Sequence, residues 1–440
     1  MNKILQDRNR FGRLLRAQEQ MKKYGYQNIQ LKALSNFVFF ASQNVPLYQS
    51  MSDTQSFYEK QNTLEIINRI PLKEKDELKQ NVEYNITNYC KGKVIQNASG
   101  GSTGQTAFFY QDEEYRSWNR AVKRLVNSWI GMEGRKRTAT LWGARRDIEK
   151  KRTNAIKQLF RYLYQPSITL DTSYLSAPRM ESIRKQLVKF QPELVRGYAE
   201  NLYEMACFIN ESKKEAPCPT YVISEAGTLT ESMRSEIQKA FGTKVINRYG
   251  CREMGIIASE NGDGKGLYVS ALTHYVEILD EHGHPCPPGV EGEIVVTCLI
   301  NKCMPLIRYR VGDTGIWAEE DTEKTLPYPL LKTVTGRVTD LFKLKDGSRV
   351  RIMAANYAEE PLIHQCQFIQ HSLEQVEVKM VLNKTDKNGK EEAIRDLKIR
   401  MEKKLHDILG KDQKIIFNIV DDIPKPTSGK FQYAISKVLE

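Results

Sequence analysis

No Cys-x-x-Cys pair occurs among the eight cysteines, which stand at positions 90, 207, 218, 251, 286, 298, 303 and 366. A chain of 440 residues needs no disulfide staples, so reduced thiols in a cytoplasmic protein are expected. Long hydrophobic runs are missing as well. The densest apolar patch, Phe37 to Ala41, falls far short of the ~18 continuous residues of a membrane span. The opening residues, Met1-Asn2-Lys3-Ile4-Leu5-Gln6-Asp7-Arg8, place charges where a signal peptide would need an apolar region. A soluble protein without membrane insertion is the expectation. The chain also has no internal repeat, no low-complexity tract and no Gly-x-x-x-x-Gly-Lys-[Ser/Thr] loop, which excludes a Walker-type phosphate site.

What is present is an ordinary globular composition, with 40% hydrophobic and 27% charged residues and a formal charge of +12. At about 100–200 residues per domain the length suggests two to four structural units. The positive excess is compatible with an anionic ligand, a nucleic acid or a lysine-rich solvated surface. Residues 1–95 read as mainly helical, with Leu14, Leu15, Met21, Leu31, Leu34, Phe37 and Val38 at helical intervals. From 95 to 335, short apolar runs alternate with charged helices. Strands are expected at Arg137–Trp142, Tyr221–Ser224, Lys244–Asn247 and Glu293–Thr297, and helices at Glu113–Val126, Ser182–Lys189 and Thr230–Ala240. That alternation predicts α/β layers. After Gly336-Arg337 the character changes to a small α+β unit. It should hold a hairpin over 338–352, strands at Val376–Leu382 and Lys414–Val420, and a helix at Glu391–Leu409.

Four segments carry chemistry. Ser99-Gly100-Gly101-Ser102-Thr103-Gly104 combines close backbone approach with hydroxyl donors, a combination suited to polyphosphate. Tyr249-Gly250-Cys251-Arg252-Glu253 follows a candidate strand, where ligands bind in α/β folds. Its tyrosine can stack on a purine and its glutamate can bind Mg²⁺. Arg308-Tyr309-Arg310-Val311-Gly312-Asp313 reads as a Gly-Asp turn whose carboxylate can accept from a ribose diol. Pro426-Thr427-Ser428-Gly429-Lys430 presents an ammonium suited to a phosphate–carboxylate junction. His282, His284 and Cys286 lie close together, but no second ligand pair accompanies them, and a hairpin turn is the expectation there.

Taken alone, each segment reads as readily as a loop or turn. Their order and spacing together resemble the adenylate-forming superfamily of acyl-CoA synthetases and adenylation domains. Within it the chain is similar to the phenylacetate–CoA ligase branch and its capsule-biosynthesis relatives. Asn44-Val45-Pro46-Leu47-Tyr48, Pro71-Leu72-Lys73-Glu74-Lys75 and Met304-Pro305-Leu306-Ile307-Arg308-Tyr309 support that placement.

The resemblance implies a large N-terminal domain over 1–336, with layered α/β subdomains and a β-rich subdomain. A small mobile C-terminal α+β lid over 337–440 would carry the catalytic lysine. It further implies ATP, Mg²⁺ and CoA as ligands, with these roles. Ser99 to Gly104 would hold the β- and γ-phosphates. Tyr249 and Gly250 would border adenine, with Gly227 and Arg252 nearby. Glu253 would bind Mg²⁺, Asp313 would hold the ribose hydroxyls, and Arg337 would act at ribose or phosphate. Lys430 would bridge the substrate carboxylate and the α-phosphate. Gly227 is a departure, because relatives commonly have Glu there.

For the acid, Trp142, Gly143, Arg145 and Tyr198 are candidate pocket residues. Arg145, Arg146 or Arg196 could read an anionic or sugar-linked acid; the bland expectation is that they are solvated and that only Trp142 and Tyr198 touch substrate, because long cations are usually exposed. The expected activity is formation of an acyl-AMP with release of pyrophosphate, then acyl transfer to CoA. One alternative is transfer to an amine or hydroxyl, with a glycan-linked acid or acceptor in surface polysaccharide synthesis. Another is a non-catalytic basic protein that binds a nucleotide or nucleic acid, for which no aromatic-interleaved basic strand speaks.

Overall fold

The computed structural model describes residues 3–51, 63–74, 77, 85–87, 89–90, 94–98, 108–142, 166–172, 175, 177–320, 322–337, 341–345, 349–351, 360, 362–383, 390–424 and 434–438. The chain opens with helices α1 (Lys3–Tyr24), α2 (Gln27–Asn44) and α3 (Thr63–Arg69). Leu34, Phe37, Val38 and Ala41 recur at helical spacing on α2 and are buried together with Ile67, Ile70 and Ile307. A short antiparallel pair follows, β1 (Ile95–Ala98) and β2 (Phe108–Gln111). Helix α4 (Glu113–Trp129) starts where the Asp112 side chain accepts the Tyr115 backbone N–H at 2.8 Å, with two glutamates in its first turn. Its apolar stripe of Ala121, Val122, Leu125 and Val126 packs with Leu14 and Met21 of α1.

The main sheet grows from β3 (Thr138–Trp142), β4 (Ser167–Asp171), α5 (Ala177–Phe190), β5 (Leu194–Gly197), α6 (Ala199–Ser212), β6 (Tyr221–Glu225), α7 (Glu231–Phe241) and β7 (Val245–Cys251). These five strands are parallel. Val195, Val222 and Val245 bury one sheet face against α6 and α7, while Leu194, Ile223 and Ile246 face the other side with Met132. The sheet continues antiparallel through β8 (Gly255–Ser259), β9 (Leu267–Val269), β10 (His274–Leu279), β11 (Glu291–Cys298), β12 (Tyr309–Trp317) and β13 (Leu330–Arg337). Its eleven strands run in the order β10-β11-β12-β13-β9-β8-β7-β6-β5-β3-β4.

Two strands reach further than the sequence suggests. β7 runs through Tyr249 to Cys251, so Tyr249 lies within the strand. Asp313 lies inside β12, and not in a turn between strands. Gly312 has φ +82°, and the register shifts beyond Asp313, so the Gly-Asp pair marks an irregularity in a continuous strand.

A hairpin of β14 (Leu341–Lys343) and β15 (Arg349–Arg351) precedes a second sheet of β16 (Ile363–Ser372), β17 (Gln375–Leu382), β18 (Lys414–Ile419) and β19 (Ala434–Ser436), ordered β18-β17-β16-β19. Helix α8 (Lys390–Leu409) covers it. Leu397, Met401, Leu405 and Leu409 recur every four residues and are buried on Phe368, Val376, Val378 and Met380. At about 1.5–3 kcal/mol per buried side chain, that stripe is the main force holding helix to sheet. Gln370 stitches the hairpin to the sheet, accepting from Lys343 N at 3.0 Å and donating to Lys343 O at 2.7 Å.

One expectation is corrected here. Cys90 and Cys303, separated by 213 residues, meet with an S–S distance of 2.20 Å, so the chain does not hold eight reduced thiols. Linear spacing carries no trace of this pair, because the tertiary fold alone brings the two segments together. The other six cysteines are free. Among the described residues, no helix is long and apolar enough to cross a membrane.

Candidate functional site

The site is built where β7, β8 and β12 meet. Cys251 pairs with Gly255 across a short turn, leaving Arg252, Glu253 and Met254 at its tip. Gly250 is required there, because a Cβ would stand 2.1 Å from the Gly255 carbonyl oxygen. Three side chains fix the turn from beneath. Gln111 Nε2 donates to the carbonyls of Arg252 at 2.9 Å and Glu253 at 3.4 Å. The Tyr115 hydroxyl donates to Glu253 O at 3.2 Å. His274 Nε2 donates to Met254 O at 2.9 Å. Burial holds the His274 imidazole down to about 4, so it is neutral at physiological pH and can serve as this donor.

Glu253 is thus a buried carboxylate on a fixed turn. Burial, then the charge of Glu253, pushes the Cys251 thiol well above its usual range. The Tyr309 phenol is pushed up by burial first and then by Glu253, Cys251, Glu74 and Asp313, so these groups share one neighbourhood.

Tyr249 Oη donates to Asp313 Oδ2 at 2.9 Å, joining the second and third sequence motifs in one contact. Asp313 pairs in register with Arg337 across β12 and β13, so the third motif lies beside the Gly336-Arg337 pair. Arg308 holds the start of β12. It contacts Glu277 at 3.2 and 3.0 Å, and its Nη1 donates to the carbonyls of Asn68 and Ile70 at 3.2 and 3.0 Å.

The remaining expected residues divide in two. Ser99, Gly100, Gly101, Ser102, Thr103, Gly104, Gly143, Arg145 and Lys430 lie outside the described residues. The strands flanking the glycine loop, β1 and β2, are described. So is β19, which begins four residues after Lys430 and pairs parallel with β16. Trp142 and Tyr198 do meet, with ring centroids 4.5 Å apart at the C-terminal ends of β3 and β5.

Gly227 sits at φ +83° in the loop after β6, and a Cβ there would lie 2.6 Å from both carboxylate oxygens of Glu200. A carboxylate from the first turn of α6 therefore occupies the space that a side chain at 227 would take. Glu200 was missed by sequence reasoning, since nothing local links it to a loop 27 positions away.

Arg196 departs from the solvated state expected for it. Its Nη1 contacts Glu225 Oε2 at 3.2 Å and its Nε reaches Thr140 Oγ1 at 3.3 Å. The three-residue set His282, His284 and Cys286 forms a turn in which the Asp280 carboxylate accepts the backbone N–H groups of His282 and His284 at 2.9 and 2.8 Å. Cys286 is buried, and both imidazoles are exposed. No group of three or more His, Cys, Asp or Glu that could hold a metal occurs among the described residues.

The chain and its fold are similar to known proteins. Residues 345–437 match the family model described as the CapK C-terminal domain. Protein CapK of Staphylococcus aureus is 27% identical over 423 residues, covering 93% of this chain and 89% of that protein. The phenylacetate–coenzyme A ligase of Pseudomonas putida is 24% identical over 306 residues, 64% of this chain and 65% of that enzyme.

The chain is a homologue of CapK and of the phenylacetate–coenzyme A ligases. Its fold agrees. The crystal structure of 2-hydroxyisobutyryl-CoA ligase in the postadenylation state, in complex with R3-HIB-AMP, superposes with a TM-score of 0.70 over 93% of this chain and 88% of that one, at 16% identity. This CapK homologue therefore has the α/β fold of the adenylate-forming CoA ligases, with a CapK-type C-terminal domain.

Proposed function

We propose that this CapK homologue is an AMP-forming ligase that activates a carboxylic acid as its acyl-AMP and passes the acyl group to an acceptor. The observation that carries the reading is the 2.9 Å contact of Tyr249 with Asp313, beside Arg337 and the fixed Glu253 turn. It joins motifs that stand 64 positions apart in the chain.

In the proposed reaction a carboxylate oxygen attacks the α-phosphorus of ATP. The bond from that phosphorus to the β-phosphate bridge breaks, and pyrophosphate leaves. Tyr249 and Gly250 would border the adenine, with Gly227 and Arg252 nearby. Asp313 would accept from the ribose hydroxyls, held in place by Tyr249 and by the Arg308 anchor. Arg337 would act at ribose or phosphate, Ser99 to Gly104 would cradle the β- and γ-phosphates, and Lys430 would neutralise charge at the carboxylate–phosphate junction. The division of labour between residues 1–336 and a lid over 337–440 belongs to the same proposal.

A buried carboxylate suits Mg²⁺, which takes its other ligands from phosphate oxygens and water, and the buried Glu253 would be that carboxylate. Bound Mg²⁺ would supply charge neutralisation at the phosphates.

For the acceptor, CoA follows the kinship to phenylacetate–coenzyme A ligases. Transfer to an amine or hydroxyl in surface polysaccharide synthesis is the second reading. A cytoplasmic location, where ATP is available, goes with either.

The test is pyrophosphate release over a panel of aryl, aliphatic, amino and uronic acids, with and without CoA. Acid-dependent release supports the reading, and stimulation by CoA assigns the thioester. Silence with every acid contradicts it and favours the binding-protein alternative.

A further inference from the structure

One charged cluster of the protein is not used by the proposed reaction. It lies between α4 and the C-terminal ends of β5, β6 and β7. Arg196 on β5 and Arg248 on β7 both point at Glu225 on β6, at 3.2 and 3.4 Å. Arg248 Nη2 also donates to Asn127 Oδ1 of α4 at 3.0 Å. Lys123, one helical turn before Asn127, faces the same three charges. Among the described residues, three cations thus meet one carboxylate.

The imbalance is enclosed. The Arg248 side chain is 2% exposed, and those of Arg196 and Glu225 are 24% and 19% exposed. Among the described residues, the buried Nε of Arg248 has no hydrogen-bond partner. Two cations in excess, and one oriented donor left over, cost free energy unless an anion completes the set. The repulsion is large enough to lower Lys123 to about 8, with Arg196 as the first cause and burial the second.

The location points to the occupant. Thr140 bonds Arg196 and is paired with it in register. Trp142 follows two residues later on the same strand and so on the same face, one step nearer the strand's end. Tyr198 stands in the same relation to Arg196, and the two rings touch at 4.5 Å. The cluster therefore lies directly beneath the aromatic pair that lines the candidate acid pocket.

We propose that Lys123, Arg196 and Arg248 receive a second anionic group of the substrate, so that the acid activated carries at least two negative charges. This rests on the acid-ligase reading and narrows its substrate class. The distal group is a carboxylate or a phosphate-like oxyanion, read by two guanidiniums at a depth where water is largely excluded. Simple fatty and aryl monoacids leave the cations unsatisfied and are poor substrates.

The test pairs acids that differ only in the distal charge. These are butanoate with succinate, phenylacetate with 4-carboxyphenylacetate, and 3-phosphonopropanoate as the phosphate-like arm. Pyrophosphate release is measured with the full chain, with Arg196→Gln and with Lys123→Gln, and thermal unfolding serves as the folding check. Calorimetric titration of each dianion without ATP reads binding apart from turnover.

The expected result is a preference in kcat/KM for a dianion of at least tenfold, about 1.4 kcal/mol. That preference falls by about tenfold in each variant, through KM, and the stronger of the two anionic arms identifies the distal group. Monoacids used as well as their dianionic partners, with the ratio unchanged by Arg196→Gln, would overturn this proposal and leave adenylation standing. Dianion binding that the variants weaken, without pyrophosphate release from any acid, would uphold the site and overturn the ligase reading. Absence of both binding and turnover for every dianion would overturn the proposal.

Discussion

Replacing Glu225 by glutamine removes one charge and nearly no volume. In the native chain that carboxylate is the common partner of Arg196 and Arg248 and faces Lys123. Its own acidity is consistent, because those cations hold it below the usual carboxylate range despite its burial. Glu225→Gln leaves three cations facing one another. An exposed pair would contribute about 0–1 kcal/mol and a fully buried one about 3–5. With side chains between 2% and 24% exposed, about 2–4 kcal/mol is the expected loss of stability. At about 2–4 °C per kcal/mol for a domain of this size, the midpoint should fall by roughly 4–16 °C. The pH dependence adds a sign. Lys123 lies at about 8 when folded and near 10.5 otherwise, so the unfolded chain holds more protons between those values and stability from this group rises with pH there. Facing it are Arg196, Glu225 and Arg248, and only Lys123 among the cations titrates in that range. The deficit of Glu225→Gln should therefore shrink from pH 7 to pH 9. Urea and thermal unfolding at both pH values measure this. A loss below about 1 kcal/mol at pH 7, or a deficit equal at pH 7 and 9, would refute the reasoning.

Three further outcomes follow from the same geometry. Tyr249→Phe removes the donor to Asp313, and a hydrogen bond to a charged group is worth about 1.5–3 kcal/mol, so KM for ATP should rise about tenfold or more with a smaller change in kcat, as steady-state kinetics would show. Gly227→Ala puts a Cβ at φ +83° and 2.6 Å from the Glu200 carboxylate, and should cost more than the about 1–2 kcal/mol of backbone strain in urea unfolding, with adding Glu200→Ala relieving the excess and leaving the strain. His274, lowered by burial from 6.5 to about 4, binds fewer protons folded than unfolded in that interval. Stability should therefore fall by about 3 kcal/mol as pH drops from 6.5 to 4, at about 1.36 kcal/mol per unit, and the slope should flatten in His274→Asn.

Much of the architecture was legible because periodicity and burial coincide. Leu397, Met401, Leu405 and Leu409 announce α8 by spacing alone, and Val222 and Ile223 announce a strand buried on both faces. The strand β16 was not foreseen. Gln367 and Gln370 interrupt its apolar run, yet both are buried, Gln370 because it bonds the backbone of Lys343. The sequence around Gly312 and Asp313 suggests a turn in place of β12 for a related reason. Its Gly312 and Asp313 are turn residues in isolation, and only pairing with β11 and β13 keeps them in a strand.

Within the candidate site, the segments Tyr249–Glu253, Arg308–Asp313 and Gly336-Arg337 are visible because each is local. The contacts that make them one site are not, since β7, β12 and β13 come together only through the sheet order. Lys123, Glu225 and Arg248 were invisible for the same reason. Each is an unremarkable charge in its own segment, and the cluster exists only because parallel pairing sets Arg196, Glu225 and Arg248 side by side under α4. Glu200 became legible only once its carboxylate was seen against Gly227.

The central claim is acid activation with Lys430 at the reacting junction, and the most direct measurement is acid-dependent pyrophosphate release by the native chain beside Lys430→Ala. The account predicts release that requires a carboxylic acid and falls by about 10²–10³ in the variant, the scale for losing one preorganised charge-stabilising group, with ATP affinity changed far less. Release that ignores the acid, or that Lys430→Ala leaves intact, would contradict it.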